Sequence, residues 1–598
     1  MRLRGMTCAV LFTILCGRAS AQAIRYEVSV GSAAAHLFHV KAEFPTEGTD
    51  TLLVSLPAWS PGSYTIQNYA RYVRHFTARN AAGQPLFWDR LDKDTWRIGT
   101  GGSGRVTVEF DYLADAIDLS QSRLVGDFGQ FLGTNLFLYQ EGRLDRPAEV
   151  RFALPGGWRV ATALARTGGG DAYRASDYHE LADAVTFVGH FSLDSLAVDG
   201  KWIRIAVYPA RDYTPAVARN MRDGIAKQAT VQNRLMGGAP YDVYTVFFQV
   251  YHEPIQFGGG LEHAASQFDI MPGSAFAGPD GTLGSFMRPL MAHEFFHLWN
   301  VKRIRPAELW PYDYDEEQYT PLLWWSEGVT DYYGDLTNWR AGLWSDAEFL
   351  ASMQGNADQV ETAPEPWSAE DGSVATWIDE VYVNSSQLYY PKGALTGLLL
   401  DVAIRDATDN RHSLDEVTRG LFTRFYKQGK GFRTADLLAL LTEAGMPDVG
   451  GFYRRFINGR DPLPYEQFLP KAGIAVERRT TTTPFLGIQT DEAANVIAEV
   501  VPEGSADAAG VQAGDTLVSV GDVRVSADRD FGPAFRERYR GRAGQPLRIV
   551  VRRNGQSLTL DTIVRERTTS ALRLSKAPNA DARAARLWRG LATGTVGN

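Results

Sequence analysis

A pair of histidines four residues apart constrains this chain more than any other feature. Residues 291–300 read MAHEFFHLWN, in which His293, Glu294 and His297 form the pattern His-Glu-x-x-His. The apolar residues around the pattern predict a helix over about 284–300. Side chains four residues apart lie on one face of an α-helix, so both imidazoles can reach the same metal ion.

The pattern is typical of a hydrolytic zinc site. Zinc accepts neutral imidazole nitrogens, and a catalytic zinc keeps one open position for water. We therefore predict one Zn²⁺ per chain, with His293 and His297 as ligands and Glu294 as the general base for hydrolysis. The alternative is a buried helix whose histidines only form hydrogen bonds, but such a helix does not require a glutamate at position 294.

Glu327 is the best candidate for a third ligand. It lies in WWSEGVTDYY, within a second predicted helix that begins near Pro321. A lone carboxylate is costly in this apolar, tryptophan-rich setting unless a metal ion compensates it. Asp331 lies one turn later on the same face, where it can accept the free N–H of a zinc-bound histidine. The alternatives are an exposed helical acid at position 327 and ligation by an acid of the charged loop 312–318.

Three consecutive glycines, at positions 258–260, precede Glu262. Glycines in a row disfavour a strand interior but allow another backbone to approach closely. In a metallopeptidase an edge strand beside the zinc pairs with the substrate backbone. We predict this part for Gly259 and Gly260. A carboxylate at position 262 would then meet the substrate's α-ammonium group. The alternative is a glycine turn followed by a solvent-facing glutamate. His263 is expected to orient its neighbours rather than to bind metal.

Two adjacent tyrosines, Tyr389 and Tyr390, precede Pro391 and a further predicted helix. A tyrosine hydroxyl close to a zinc-bound carbonyl can stabilise the oxyanion that develops during hydrolysis. The sequence does not decide which of the two points towards the zinc, so both are candidates for this role.

The chain is too long for one hydrophobic core, and 598 residues predict three or four domains. Apolar and polar residues alternate over strand lengths in the N-terminal third. A strand–helix–strand segment and then helices follow. The alternation returns near residue 484, after the predicted linker VERRTTTTP. The predicted fold class is multidomain α+β. The predicted segments are 22–198 for an antiparallel β domain, 199–395 for a catalytic domain, 396–475 for a helical subdomain, 484–562 for a C-terminal β-rich domain, and 563–598 for a tail that is disordered or a short helix.

The first 21 residues have the pattern of a secretory signal peptide. Arg2 and Arg4 precede a short apolar run, and residues 19–21 read Ala-Ser-Ala, a typical cleavage site. We therefore predict export to the periplasm or the medium. A retained N-terminal membrane anchor is the alternative, and no other segment approaches a membrane span. The formal net charge of −9 argues against a nucleic-acid-binding protein.

Several stretches together resemble the PDZ-containing glycyl aminopeptidase family, a branch of the gluzincin metallopeptidases. The stretches that carry the resemblance are LPAWSPGSYTIQNYAR, GGLEH, HEFFHLWNVKRIRP, WWSEGVTDYY and YYPKGAL. The resemblance implies a thermolysin-like catalytic domain with zinc bound by His293, His297 and Glu327. It further implies Glu294 as catalytic base and proton shuttle.

The same resemblance implies roles for the remaining candidates. Glu262 corresponds to the amine-recognition residue of related aminopeptidases, although His263 stands where they have asparagine. Tyr390 is implied as the oxyanion stabiliser, with Tyr389 as the fallback. Residues 484–560 look like a PDZ domain, a module that binds peptide C-termini. Its carboxylate-binding loop would contain Leu486, Gly487 and Ile488, whose backbone N–H groups would hold the carboxylate.

The predicted function is that of an exported zinc aminopeptidase acting on peptides with a free N-terminus. A preference for glycine or alanine as the first residue rests on the resemblance alone. Three alternatives stay open: a zinc endopeptidase with the same chemistry, a peptide-binding scaffold led by the PDZ domain with a vestigial zinc site, and a zinc hydrolase that does not act on peptides.

Overall fold

A computed structural model describes residues 22–168, 170–252, 258–363, 367–381, 386–490, 495–525 and 531–597. The chain divides into two compact units. The first contains residues up to 352, then 363–473, and finally the residues from 579 onward, and the second contains 353–362 and 474–578. The predicted signal peptide at 1–21 lies outside the described residues.

The N-terminal part of the first unit is built almost entirely of β-strands. They are β1 (Ile24–Ser32), β2 (Leu37–Pro45), β3 (Thr51–Ser55), β4 (Val73–Asn80), β5 (Trp88–Arg90), β6 (Thr95–Gly99), β7 (Arg105–Leu113), β8 (Arg123–Val125), β9 (Phe128–Leu132), β10 (Tyr139–Gln140), β11 (Ala148–Ala153), β12 (Arg159–Thr162), β13 (Ala165–Arg166), β14 (Ala172–Ala175) and β15 (Val185–Gly189). Two short helices, α1 (Gly133–Leu136) and α2 (Tyr178–Ala182), interrupt them.

These strands form three sheets. The largest has seven strands in the order β13-β14-β11-β1-β2-β7-β4, and the other two have the orders β10-β3-β6-β5 and β12-β15-β9-β8. The alternation that predicts strands is seen directly in β7, whose residues are alternately buried and half-buried. Pairing is antiparallel as predicted, except that β1 and β11 run parallel.

A second, mixed sheet of five strands supports the predicted catalytic region. Its strands are β16 (Ser192–Val198), β17 (Lys201–Tyr208), β18 (Val243–Tyr251), β19 (Gly259–Glu262) and β20 (Ser266–Pro272), in the order β16-β17-β18-β20-β19. Helix α3 (Pro215–Met236) connects the parallel pair β17 and β18, as the strand–helix–strand prediction requires. Because β16 pairs with β17, the catalytic sheet begins before the predicted boundary at 198. Strand β19 is an edge strand.

Helices form the rest of the first unit. They are α4 (Met287–Phe296), α5 (Val329–Arg340), α6 (Asp346–Thr362), α7 (Ala369–Ala375), α8 (Tyr389–Ala407), α9 (Leu414–Arg424), α10 (Thr434–Glu443), α11 (Val449–Phe452) and α12 (Tyr465–Phe468), and residues 353–362 of α6 belong to the second unit. Helix α4 is shorter than the predicted 284–300 because the chain tightens into i→i+3 turns after Phe296, as in the Trp299 N–H bond to the Phe296 carbonyl. Among the described residues, no helix has both the length and the apolar character needed to cross a bilayer.

The second unit contains the predicted C-terminal β-rich domain. Its elements are β21 (Ile474–Pro484), β22 (Ile488–Thr490), β23 (Ile497–Val500), α13 (Ser505–Ala509), β24 (Thr516–Val520), β25 (Val523–Arg524), α14 (Phe531–Tyr539), β26 (Pro546–Arg553), β27 (Gln556–Ile563) and β28 (Glu566–Lys576). Strands β25-β24-β26-β27 form a sheet, and β22 pairs with β23. Ile497, Ile549, Val551 and Phe535 lie in the core. The multidomain α+β class is confirmed.

The chain enters and leaves this unit through a two-stranded ribbon that the sequence does not predict. Strands β21 and β28 pair antiparallel over eleven residue pairs, from Ile474 opposite Lys576 to Pro484 opposite Glu566. The segment predicted as the linker VERRTTTTP is therefore part of a strand. Its threonines favour strands and lie opposite other threonines, such as Thr482 and Thr568.

The residues predicted as a tail also correct the sequence interpretation. After β28 the chain forms α15 (Ala582–Thr593), which belongs to the first unit. The Trp588 ring lies 4.7 Å from that of Trp339 on α5, and the Arg405 guanidinium on α8 donates to the Thr595 carbonyl at 3.0 Å. This Ala- and Arg-rich segment is an amphipathic helix with a narrow apolar face.

We expect Leu587→Ala to destabilise the first unit by about 2–5 kcal/mol, because this fully buried side chain of α15 would leave a cavity. The measurement is the urea midpoint followed by circular dichroism. Leu193→Ala is the matched control, since Leu193 is 40% exposed on β16. Equal midpoints for the two variants would contradict the packing of α15.

Candidate metal centre and the cleft around it

Three buried side chains from two neighbouring helical segments converge on one point. His293 lies in the last turn of α4 and His297 caps its end, while Glu327 comes from a π-helical turn, Trp324–Gly328, that leads into α5. The two Nε2 atoms lie 2.8 Å apart. Glu327 Oε2 lies 3.2 Å from Nε2 of His297 and 3.6 Å from Nε2 of His293.

The protons of both imidazoles can be placed from their outer partners. His293 Nδ1 lies 2.7 Å from Asp331 Oδ1, and His297 Nδ1 lies 2.5 Å from the Asn300 carbonyl oxygen. Both partners are acceptors, so each Nδ1 carries a proton, and in the neutral ring that binds a metal each Nε2 then presents a lone pair. Two lone pairs and a carboxylate oxygen then face one another, and only a cation makes this arrangement favourable.

The donor set fits zinc. Two imidazole nitrogens and one carboxylate oxygen are the ligands of a common class of catalytic zinc sites, which leave a fourth position open. A contact from Asp331 to a ligating histidine is the usual outer arrangement. A second set, Glu262, Glu294 and His297, also lies close together but shares His297 Nε2. One lone pair serves one ion, so the two sets do not describe two metals.

Glu294 lies against the edge strand of the catalytic sheet. A β-carbon placed on Gly260 of β19 would lie 2.5 Å from the carboxyl carbon of Glu294, so only glycine fits there. Burial raises the pKa of Glu294 well above its ordinary value. The carboxyl group therefore holds a proton readily, and it sits between the metal ligands and the strand predicted to bind substrate.

Glu262 ends strand β19 and is covered by a loop of the N-terminal domain. A β-carbon on Gly62, whose φ is +114°, would lie 2.6 Å from both carboxylate oxygens of Glu262. Glu262 Oε1 also lies 3.8 Å from Nζ of the buried Lys302. The predicted amine-recognition residue is therefore buried beside the metal ligands, contrary to the solvent-facing alternative.

The same loop contributes a residue that sequence reasoning missed. The Tyr64 hydroxyl, in a side chain that is 5% exposed, donates to Glu327 Oε1 at 2.9 Å. Glu327 thus presents Oε2 to the histidines while Oε1 is occupied by the tyrosine. The stretch LPAWSPGSYTIQNYAR carries the family resemblance, but no periodicity or spacing within it indicates that Tyr64 reaches a residue more than 250 positions away.

We expect Tyr64→Phe to weaken zinc binding by about 10–100-fold, the usual cost of removing an outer partner of a ligand. The measurement is a zinc titration against a chelator of known affinity. Tyr213→Phe is the matched control, because the Tyr213 hydroxyl donates to Asp194 rather than to a residue of this cluster. Equal zinc affinities for the two variants would show that Tyr64 does not fix Glu327.

The two tyrosines before Pro391 occupy different environments. The Tyr390 ring lies 6.2 Å from the ring of His293. The Tyr389 hydroxyl instead lies 3.3 Å from Thr376 Oγ1, and the Tyr389 ring lies 4.7 Å from that of Tyr390. Burial, followed by the charge of Glu327, raises the pKa of Tyr390 well above its ordinary value, so its hydroxyl is a donor. This favours Tyr390 over Tyr389 as the oxyanion group.

In the second unit, the predicted carboxylate-binding loop lies between β21 and β22. The carbonyls of Leu486 and Gly487 accept from Ala506 and Val501, and within the described part of the chain the N–H groups of Leu486 and Gly487 have no acceptor. This loop and helix α14 line a groove of about 570 Å³. Free N–H groups at the end of such a groove suit a carboxylate.

Comparisons with known proteins agree with this geometry. Residues 25–189 match the Peptidase M61 N-terminal domain, residues 287–396 match the M61 glycyl aminopeptidase, and residues 484–564 match a PDZ domain. These matches confirm the predicted family and the PDZ domain. No curated protein matches the sequence.

Two solved structures are similar to this chain. An aminopeptidase N family protein from Idiomarina loihiensis is 24% identical with a TM-score of 0.85, covering 95% of this chain and 100% of its own. An M1 zinc metallopeptidase from Deinococcus radiodurans is 14% identical with a TM-score of 0.47, covering 74% of this chain and 95% of its own. The first likeness shows that the fold is shared over nearly the whole chain.

Proposed function

We propose, because the chain belongs to the M61 family of glycyl aminopeptidases, that it removes a small first residue, glycine or alanine, from peptides with a free α-amino group. One observation carries the proposal: a buried carboxylate, Glu262, ends an edge strand that runs beside the His293, His297 and Glu327 cluster. An edge strand binds an extended peptide through its backbone groups, and a carboxylate at its end stops the peptide by pairing with the α-ammonium group. Only the first peptide bond then reaches the metal.

The residues of the chain divide the chemistry among them. One zinc ion bound by His293, His297 and Glu327 would act as a Lewis acid that polarises the scissile carbonyl and acidifies water. Glu294 accepts the proton of the attacking water and passes it to the leaving amine. The Tyr390 hydroxyl donates a hydrogen bond to the developing oxyanion. Burial of all these groups strengthens each electrostatic contact.

The cover over Glu262 supports the preference for a small first residue. Gly62 and Tyr64 lie on one loop. The backbone at Gly62 lies within van der Waals distance of the Glu262 carboxylate. The Tyr64 ring packs against Trp377, with 6.0 Å between the ring centroids. On the strand side, a β-carbon on Gly259 would already lie 3.2 Å from Leu119. A first residue with a large side chain would have to displace one of these walls.

We expect the enzyme to cleave Gly- and Ala-p-nitroanilide much faster than Leu-p-nitroanilide and to leave the N-acetylated forms uncut. Acetylation removes the positive charge that Glu262 pairs with, and a buried carboxylate without a partner is costly. The measurement is kcat/KM for the three free and three acetylated substrates, with chelator-treated enzyme as the control. Internal cleavage of a blocked peptide at a comparable rate would favour the endopeptidase alternative instead.

We further propose that the groove of the PDZ domain binds the C-terminus of a peptide and that the chain is exported. The free N–H groups of Leu486 and Gly487 support the first proposal. The signal-peptide pattern of residues 1–21 supports the second. Sequencing the N-terminus of the protein recovered from the periplasm of a Gram-negative host tests for cleavage after Ala21.

A further inference from the structure

The amine end of the cleft holds a buried ion pair that the proposed mechanism does not use. Lys302 is 1% exposed and lies five residues beyond His297. Its ammonium group lies 3.1 Å from Asp183 Oδ1 and 3.8 Å from Glu262 Oε1, and it donates to the Pro61 carbonyl at 3.0 Å. A buried ammonium group is retained only where such partners compensate its lost hydration.

Asp183 reaches this site from the N-terminal domain. It follows helix α2, and its Oδ2 accepts the N–H of Ala264 while its Oδ1 lies 3.4 Å from His263 Nδ1. Ala264 and His263 directly follow Glu262 in the sequence. The carboxylate of Asp183 therefore fixes both Lys302 and the backbone that follows Glu262.

Both groups remain charged. Burial by itself would raise the pKa of Asp183, but the Lys302 ammonium group, His263 and the Ala264 N–H together outweigh burial and hold that pKa well below its usual value. Burial would likewise lower the pKa of Lys302, but Asp183 and then Glu262 hold it above its usual value. As ions, Asp183, Glu262 and Lys302 sum to one negative charge.

We propose that Lys302 and Asp183 are a specificity-determining pair that keeps the amine end of the cleft at one net negative charge and holds Glu262 in place for the substrate's ammonium group. This inference rests on the proposed aminopeptidase function. Lys302 alone would cancel the charge of Glu262 and repel the substrate's ammonium group at close range. Asp183 neutralises Lys302, so the charge of Glu262 stays available to the substrate. Lys302 meanwhile holds Oε1 of Glu262 and the loop at Pro61.

The test compares two competitive inhibitors that differ only in the amino group. Alanine hydroxamate and propionohydroxamate present the same metal-binding group, so the ratio of their inhibition constants isolates the contribution of the ammonium group. The proteins are the zinc-loaded wild type, Asp183→Asn, and the double variant Asp183→Asn with Lys302→Met. Asp223→Asn is the matched control, because Asp223 pairs with Lys227 on an exposed helix face. Zinc content is measured for each.

We expect the wild type to prefer alanine hydroxamate, and Asp183→Asn to lower that preference at least tenfold while the inhibition constant of propionohydroxamate changes little. The double variant restores one net negative charge and is expected to regain the preference to within about threefold of wild type. A merely structural role would weaken both inhibitors equally and would not be rescued by the second substitution, and either result would overturn the inference. A wild type without preference would instead overturn the proposed function.

Discussion

Replacing Glu294 by glutamine is expected to lower kcat by about 10²–10⁴-fold, the usual contribution of a positioned general base. Glutamine has nearly the same shape, so it fits the space that Gly260 leaves, but it accepts no proton from water. Zinc content is expected to stay at the wild-type value because Glu294 is not among the three converging ligand atoms. The measurements are kcat on Ala-p-nitroanilide and metal content by atomic emission.

The matched control for this substitution is Glu316→Gln, an exposed acid of the charged loop 312–318. It removes the same charge and is expected to keep wild-type turnover. A Glu294→Gln enzyme that kept wild-type kcat would mean that another group takes the proton, and the proposed mechanism would then be wrong.

Replacing Glu327 by alanine is expected to remove both zinc and activity. The substitution deletes one of three ligands and leaves the two facing imidazole nitrogens, 2.8 Å apart, without the Glu327 carboxylate. Other carboxylates stay nearby, including Glu262 and Glu294, but the Glu327 oxygen that faces both imidazoles is lost. The Tyr64 hydroxyl also loses its acceptor. The loss of zinc affinity is expected to exceed the loss of about 10–100-fold that follows from removing a residue that only contacts a ligand. Chelator titration measures it, and activity is assayed across a range of added zinc.

The exposed Glu317→Ala is the control for the Glu327 substitution. A Glu327→Ala protein that held one zinc per chain with unchanged affinity would show that another carboxylate is the ligand. The two substitutions therefore separate two roles: Glu294→Gln is expected to keep the metal without turnover, and Glu327→Ala is expected to lose both.

Local spacing explains why much of the site could be predicted from the sequence. His293 and His297 are one helical turn apart, Asp331 follows Glu327 by the same interval, and helix geometry alone then places their side chains. The glycines of β19 disfavour a strand interior, and the strand is expected instead from the edge strand that a metallopeptidase places beside its zinc. The sequence does not predict that Glu327 lies in a π-helical turn rather than in a regular helix. A π-helical turn contains an extra residue, and whether one forms depends on packing against neighbouring helices.

The contacts that complete the site are the ones that no local pattern contains. Tyr64 reaches Glu327, Asp183 reaches Lys302, and Pro61 accepts from Lys302, each across more than one hundred residues. Such pairs depend on how the N-terminal domain docks on the catalytic sheet. Strand β28 escaped prediction for the same reason, since its partner lies some ninety positions earlier. A short helix is one of the two expectations for the tail, but no local pattern predicts that α15 packs on α5.

The ribbon of β21 and β28 has a consequence for how such a chain is assembled. Because Ile474 lies opposite Lys576, the chain leaves the catalytic unit and returns to it at adjacent points, roughly 5 Å apart as in any antiparallel pair. The entropic cost of closing a loop grows only slowly with the number of residues in it. The paired strands also hold the two ends together. For the folding of the catalytic unit, the whole intervening module therefore behaves as a hairpin loop, and a cassette of different binding preference can be spliced between the same two strands.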